Sequence, residues 1–177
     1  MNEITYERLK EILESLKLRN TLEILDNYLE RAVKDNLNVV EVLDHLFTEE
    51  AKAKRRRAYE KQLQLSGFPG RKLLDTFDFS FQPSIDKRQI EELATMRFIE
   101  NAENVVFLGP PGVGKTHLAT ALGIEAARNR YSTYYINCHT LIEQLKKAHF
   151  ENHLPDKLKA LGRYKILIID EIGYLPM

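Results

Sequence analysis

The sequence of 177 residues contains little of what holds a secreted or membrane protein together. Its single cysteine, Cys138, cannot form an internal disulfide, and no second cysteine completes a CxxC metal or redox site. No apolar run approaches the roughly 20 residues that cross a bilayer, and the opening MNEITYERLK lacks the layout of a signal peptide. We therefore expect a soluble cytoplasmic protein without membrane contact, in which Cys138 is a small buried residue after a strand.

Net charge is also zero, but the charges are unevenly distributed along the chain. Residues 1 to 50 carry 12 acids and 6 bases, residues 51 to 72 carry 8 bases and 1 acid, and the remainder carries 12 bases and 13 acids. One short segment therefore holds the excess of positive charge.

Residues 1 to 65 have the periodicity of helices. Apolar residues recur three or four positions apart, as in Leu9, Ile12, Leu13 and Leu16. Asn20 with Glu23, and Asn38 with Glu41, have the spacing of capping boxes and predict two helix starts. We predict a small all-α N-terminal domain over residues 1 to 65, whose last helix runs through the basic segment and ends before Gly67 and Pro69.

Residues 66 to 84 predict an extended linker. They hold two glycines, two prolines and the alternating Phe77, Phe79 and Phe81, which we interpret as aromatics laid on a neighbouring surface. Ser84 is a candidate cap for a helix that reaches Phe98.

From residue 104 three apolar runs, NVVFL, STYYIN and KILIID, alternate with helical patterns. Residues 85 to 177 are therefore predicted to form an α/β domain, with a parallel sheet covered by helices on both faces.

A glycine-rich loop follows the first apolar run and matches the complete pattern GxxxxGK[ST]. Its glycines let backbone N–H groups point at phosphates, its lysine reaches the β- and γ-phosphates, and its threonine offers a hydroxyl to Mg²⁺. The strand before it and the helix after it make an ordinary glycine turn a poor alternative. The predicted nucleotide-binding residues are Gly109, Pro110, Pro111, Gly112, Val113, Gly114, Lys115 and Thr116.

The run KILIIDE predicts a buried strand that ends in two acids, 55 positions after Lys115. Ligands gather beyond the carboxyl ends of parallel strands, so Asp170 is predicted to bind nucleotide and, with Thr116, Mg²⁺. Glu171 is predicted to be catalytic, because a carboxylate beside the metal can orient and deprotonate water. A solvated loop is the alternative for an isolated Asp–Glu pair.

The basic segment AKAKRRRAYEK leaves two main interpretations open, with a nuclear-import signal as a third. Its charges surround most of a helix, which is typical of a solvated connecting helix. Closely spaced cations also suit contact with the phosphates of DNA without base readout. The candidate DNA-binding residues are Lys52, Lys54, Arg55, Arg56 and Arg57.

Two stretches resemble the IstB-type ATPases that assist insertion-sequence transposases, which are AAA+ proteins close to bacterial helicase loaders. They are TFDFSFQPSIDKRQIEELATMRFIENAENVVFLGPPGVGKTHLATALGIEA and ILIIDEIGYLPM. The resemblance implies a P-loop AAA+ (ASCE) sheet, ATP and Mg²⁺ as cofactors, double-stranded DNA and a transposase as partners, and a homo-oligomer in the full-length form. It also implies that the N-terminal helices bind DNA.

The resemblance further implies an α/β domain that is incomplete at the C-terminus. Relatives continue past DEIGYLPM with further strands, a helical lid and an arginine finger, and one later strand lies between the two strands of the site. We therefore expect little ATP hydrolysis from this chain, and whether it is an enzyme stays open. The alternatives are a helicase loader and a non-catalytic DNA-binding fragment.

Overall fold

The computed structural model describes residues 3–174 of the chain, which divides into two compact units between Ala58 and Tyr59. This division lies within a long helix, earlier than the boundary predicted at residues 66 to 84, and those residues cluster with the second unit. The helices and strands are α1 (Glu3–Ser15), α2 (Arg19–Lys34), α3 (Val39–Leu65), α4 (Lys87–Leu93), α5 (Arg97–Glu100), α6 (Lys115–Arg128), β1 (Thr133–Asn137), α7 (Cys138–Phe150), α8 (Leu154–Leu161) and β2 (Ile166–Asp170), with short 3₁₀ turns at Leu74–Thr76 and Ile172–Tyr174.

The first unit packs α1, α2 and the beginning of α3 around a small apolar core. Leu13, Leu25 and Leu46 are buried at its centre. The predicted capping box at the start of α3 is confirmed, since Glu41 N donates to Asn38 Oδ1 at 3.0 Å and Asn38 N donates to Glu41 Oε2 at 2.8 Å. The predicted cap at Asn20 is wrong. Helix α2 already begins at Arg19 and makes no side-chain cap hydrogen bond, because another part of the unit supplies the acceptor.

That acceptor is Glu50 on α3, which is only 3% exposed. Its Oε2 accepts a hydrogen bond of 2.8 Å from the backbone N–H of Thr21, in the first turn of α2, and its Oε1 accepts one of 2.9 Å from Arg57. A buried carboxylate is costly unless it is paired and hydrogen-bonded. Glu50 therefore satisfies the N-terminus of α2 from a distant point in the sequence and anchors Arg57.

The second unit contains a parallel pair of strands between two layers of helices. The register pairs Tyr135 with Ile168 and Asn137 with Asp170. Because side chains alternate across a strand, these residues share one face of the sheet, and α6 packs on that face through a contact between Gly123 and Ile168. Ile136 and Ile169 point to the other face, where they pack with Leu141 of α7 and Leu161 of α8. The predicted α/β arrangement with helices on both faces is observed.

The first predicted strand does not form. Residues 104–108 are assigned to neither helix nor strand, and the sheet of the described residues consists of β1 and β2. Phe107 packs against the cluster of Met96, Leu122 and Ala126, whereas Val106 and Leu108 are 70% and 89% exposed. A strand needs a neighbour to satisfy its N–H and C=O groups, and none of residues 3–174 pairs with this segment. An apolar run alone therefore predicted the wrong structure here.

The helix predicted to start at Ser84 and reach Phe98 is divided and capped differently. Asp86 caps α4 through a hydrogen bond of 2.8 Å from Arg88 N to its carboxylate. Met96 is buried with φ of 66°, which interrupts the helical path before α5. Asp and Ser are both good caps, so residue preference alone does not choose between them.

The linker aromatics have different environments. Phe77 packs edge-on against His117 and Phe79, with ring centroids 5.2 Å and 4.9 Å away, whereas Phe81 is exposed. Cys138 is buried and directly follows β1, as predicted. Within residues 3–174, none of the helices combines the length and the apolar character that crossing a membrane requires.

Candidate functional site

The predicted phosphate-binding loop leads directly into helix α6. Gly109, Gly112 and Gly114 have φ of 153°, 83° and 92°, values that side chains rarely allow. Gly114 has a second constraint, since a Cβ atom there would lie 2.5 Å from Phe77 Cε2. The helix starts at Lys115, so its N-terminal N–H groups open onto the loop. This combination of turn and helix N-terminus suits an anion.

Lys115 holds its ammonium group inside the loop. Its Nζ donates to the carbonyl oxygens of Gly109 and Pro110, at 2.7 Å each. The ammonium therefore lies where the predicted phosphates would be bound.

Asp170, at the end of β2, faces the beginning of α6. Its Oδ2 accepts hydrogen bonds from Thr116 Oγ1 at 2.7 Å and from the Tyr135 hydroxyl at 2.6 Å, and its Oδ1 accepts one from Glu171 N at 2.9 Å. Burial by itself raises the pKa of Asp170, but these hydrogen bonds and the charge of Lys115 outweigh it and hold the pKa below its usual value. Asp170 is therefore ionised at neutral pH.

The same surroundings act on Tyr135 in the opposite direction. Burial is the largest cause, and the hydrogen bond to Asp170 the second, of a Tyr135 pKa far above its usual value. Its hydroxyl therefore stays protonated and donates to the carboxylate.

The donor atoms here fit a magnesium ion. Mg²⁺ prefers oxygen ligands and binds proteins through one or two carboxylates together with substrate phosphates and water. Thr116 and Asp170 supply a hydroxyl and a carboxylate side by side. In the described part of the chain no group of three or more His, Cys, Asp or Glu side chains could hold a metal ion. A metal at this point would therefore take its remaining ligands from phosphate and water.

Glu171 adopts an unusual backbone conformation beside Asp170. Its φ is 59°, and its exposed carboxylate accepts a hydrogen bond from Asn137 Nδ2. The predicted catalytic carboxylate is thus held by the last residue of β1, next to the predicted metal ligands.

Comparisons with known proteins show the family to which the chain belongs. The model of the family described as IstB-like ATP binding protein matches residues 11–177. The chain belongs to this family. It is 47% identical over 98% of its length to a protein of Bacillus thuringiensis subsp. berliner that is named as a putative ATP-binding protein of insertion sequence IS232, covering 69% of that relative.

Two further relatives are also named as putative ATP-binding proteins of insertion sequences. The protein of insertion sequence IS5376 from Geobacillus stearothermophilus is 43% identical to this chain, over 97% of the chain and 68% of the relative. The protein of insertion sequence IS21 from Pseudomonas aeruginosa is 42% identical, over 96% of the chain and 64% of the relative. The chain thus spans about two thirds of the length of these three relatives.

The structure of this IstB-like protein brings the predicted nucleotide-binding residues together, and it assigns the predicted DNA-binding residues to the other unit. The loop residues from Gly109 to Thr116 adjoin Asp170 and Glu171, all within the second unit. The basic segment from Lys52 to Arg57 belongs to the first unit. The nucleotide and DNA predictions therefore concern two separate parts of the molecule.

Sequence reasoning missed two polar residues of the site, Tyr135 and Asn137. Both lie in an apolar run that was interpreted only as a strand. Their alternate spacing placed them on one face of β1, but only the parallel register with β2 brings that face beside Asp170. A polar residue at the end of a strand in such a sheet was the signal that could have found Asn137.

Proposed function

We propose that this IstB-like protein binds ATP and Mg²⁺ at the loop and DNA at the basic segment, and acts as the ATP-dependent helper of a transposase. The observation that carries the nucleotide part is the hydrogen bond of 2.7 Å between Thr116 and Asp170. It joins the end of the loop to the end of β2, where hydroxyl and carboxylate oxygens can share one metal ion.

We assign a role to each residue of the proposed site. The loop N–H groups and Lys115 bind the phosphates, whose oxygens replace the carbonyls of Gly109 and Pro110 as acceptors for the ammonium group. Thr116 and Asp170 hold Mg²⁺, which neutralises charge on the phosphates when it is bound. Glu171 orients a water molecule and takes its proton once its carboxylate leaves Asn137.

The DNA part of the proposal rests on three exposed cations of α3, Lys54, Arg55 and Arg56. Among the described residues they make no ion pair, whereas Lys52 pairs with Glu49 at 2.7 Å and Arg57 pairs with buried Glu50 at 2.9 Å. Because Lys52 and Arg57 already pair with acids of the first unit, the other three of the five predicted residues are available to contact DNA phosphates.

Calorimetric titration with ATP, in EDTA and in Mg²⁺, tests the nucleotide site. We expect Asp170→Asn to bind ATP like the wild type in EDTA and to lose the gain in affinity that Mg²⁺ brings. Asp156→Asn, an exposed acid on α8, is the matched control and should behave as the wild type. An unchanged Mg²⁺ effect in Asp170→Asn would contradict the proposed metal ligand.

Salt dependence of binding to a DNA duplex tests the basic segment. Replacing Lys54, Arg55 and Arg56 with glutamine should reduce the slope of log K against log salt by about 0.9 for each phosphate that the variant no longer neutralises. Replacing Arg8, Lys17 and Lys34 of the same unit removes equal charge away from the segment and should leave more of the slope intact. Equal reductions in the two triple variants would show that only total charge matters.

Co-purification distinguishes the proposed partner from the alternative. We expect the protein to retain the transposase of its own insertion sequence in the presence of ATP and DNA. Retention of the replicative helicase instead would favour a helicase loader.

A further inference from the structure

Two hydroxyl groups meet on one oxygen of Asp170. Thr116 and Tyr135 both donate to Oδ2, at 2.7 Å and 2.6 Å, while Glu171 N donates to Oδ1. The Thr116 oxygen has a second task in the proposed function, because it would also face the metal. Among the described residues, the Tyr135 hydroxyl has no hydrogen-bond partner other than the Asp170 carboxylate.

Tyr135 is itself held from both edges of β1. On one side the strand pairs with β2, which places Tyr135 opposite Ile168. At the other edge, Tyr135 N donates to Ser66 O at 2.7 Å. The rings of Phe68 and Tyr135 also pack at a tilt, with centroids 6.4 Å apart. The backbone approaches closely here: Gly67 has φ of 70°, and a Cβ atom there would lie 2.9 Å from Tyr135 O. The phenol is thus attached to a firmly supported backbone.

A carboxylate at the end of a strand can rotate about its side-chain bonds, and ordering it when metal binds costs conformational entropy. A donor on a fixed backbone removes part of that cost beforehand. Outer hydrogen bonds of this kind orient the ligands of metal sites and affect metal affinity strongly. Tyr135 lies on the same face of the sheet as Asp170, two residue pairs along the register, which is the geometry that such a donor needs.

We propose that Tyr135 is a positioning residue of the Mg²⁺ site, which holds the Asp170 carboxylate in the orientation that serves Thr116 and the metal. This inference rests on the proposed nucleotide function. The competing explanation is that Asp170 only satisfies a half-buried phenol, in which case removing the hydroxyl has no particular effect on the metal.

The test compares Tyr135→Phe with Tyr134→Phe by measuring ATP affinity over a series of Mg²⁺ concentrations. Tyr134 is the matched control because it lies on the opposite face of β1 and stacks on Tyr164, with ring centroids 5.0 Å apart. We expect Tyr135→Phe to raise the Mg²⁺ concentration for half of the affinity gain by about 10-fold, the lower end of the range for outer hydrogen bonds at metal sites. Affinity in EDTA should match the wild type, and Tyr134→Phe should show no change.

Two outcomes would overturn the proposal. One is an equal loss of ATP affinity with and without Mg²⁺ in Tyr135→Phe, and the other is a Mg²⁺ response of that variant identical to that of the wild type.

The outcomes separate this inference from the function on which it rests. If wild-type protein binds ATP no better in Mg²⁺ than in EDTA, the proposed Mg²⁺–ATP function fails. If the wild type responds to Mg²⁺ and Tyr135→Phe responds equally, only the role of Tyr135 fails. Hydrogen exchange of the β1 amides checks that each variant keeps the strand.

Discussion

Each unit of this protein contains a carboxylate on which donors from distant parts of the chain converge, Glu50 in the first and Asp170 in the second, and these two carboxylates differ in what surrounds them. Glu50 in the first unit is buried, and its partners are a backbone N–H group and Arg57 of the same unit. Asp170 in the second unit is half-buried, and its partners include two hydroxyls beside the predicted phosphate-binding loop. Both have a lowered pKa, although burial alone would raise it in each case.

The difference separates a carboxylate that stabilises the fold from one that is proposed to bind a ligand. The donors of Glu50 are groups that the folded unit must satisfy in any event. Asp170 is arranged around a position that another ion could share. A lowered pKa therefore does not identify a functional carboxylate without the geometry around it.

The largest effect that we expect comes from the loop. Lys115→Ala removes the cation whose ammonium group lies inside the loop and should weaken ATP binding by about 100-fold, a loss comparable to that of a hydrogen bond made by a charged group. Calorimetry measures it, with Lys159→Ala on α8 as the control. DNA binding without nucleotide should survive in both variants. A parallel loss of DNA binding in Lys115→Ala would contradict the assignment of nucleotide binding and DNA binding to different units.

A smaller effect should follow from filling the contact between α6 and the sheet. In Gly123→Ala the added Cβ would lie 2.6 Å from Ile168 Cδ1 and 2.8 Å from Phe68 Cε1. We expect a net loss of about 2 kcal/mol in the free energy of unfolding of the second unit, because overpacking costs up to about 3 kcal/mol and replacing a helical glycine with alanine returns about 1 kcal/mol. Hydrogen exchange resolved by unit measures it. Gly70→Ala is the control, since nothing lies within 4 Å of its added Cβ; a loss as large in that variant would rule out the packing explanation.

Glu50→Gln tests the structural carboxylate. It keeps the shape but removes the charge that Arg57 faces, and we expect the first unit to lose about 2 kcal/mol, less than for a fully buried pair because the Arg57 side chain is 43% exposed. Glu49→Gln, whose charge lies on the surface, is the control and should show no measurable change.

The same pair predicts a pH dependence. Because the pKa of Glu50 is lower in the folded state than its usual 4.5, its stabilising contribution is present above pH 4.5 and is lost as the pH falls through the folded-state pKa. Denaturation at several pH values should show wild type and Glu50→Gln converging below pH 4.5. A constant difference over the range would exclude the ionised carboxylate as the cause.

The smallest effect concerns a helix cap. Asn38→Ala breaks the capping box of α3 and should cost the first unit about 1 kcal/mol. Asn20→Ala alters a residue with the same sequence spacing whose side chain does not cap α2, so denaturation should show a smaller loss. Equal losses would mean that helix propensity, rather than the cap, decides the outcome.

The features that were predictable from the sequence depend on neighbouring residues. The loop from Gly109 to Thr116 has a backbone conformation that its own glycines permit, and the capping box of Asn38 and Glu41 closes within one turn. The strands β1 and β2 were also predicted correctly, because each is a short apolar run between turns.

The predictions that failed depended on partners elsewhere in the chain. The run at residues 104–108 has the composition of a strand but no neighbour among the described residues, and the N-terminus of α2 is satisfied by Glu50 rather than by Asn20. The sequence by itself determined the loop, the two acids and most of the helices, since these follow from local spacing. Only the tertiary structure decided that Tyr135 and Asn137 face those acids, because a parallel register joins residues that no local pattern connects.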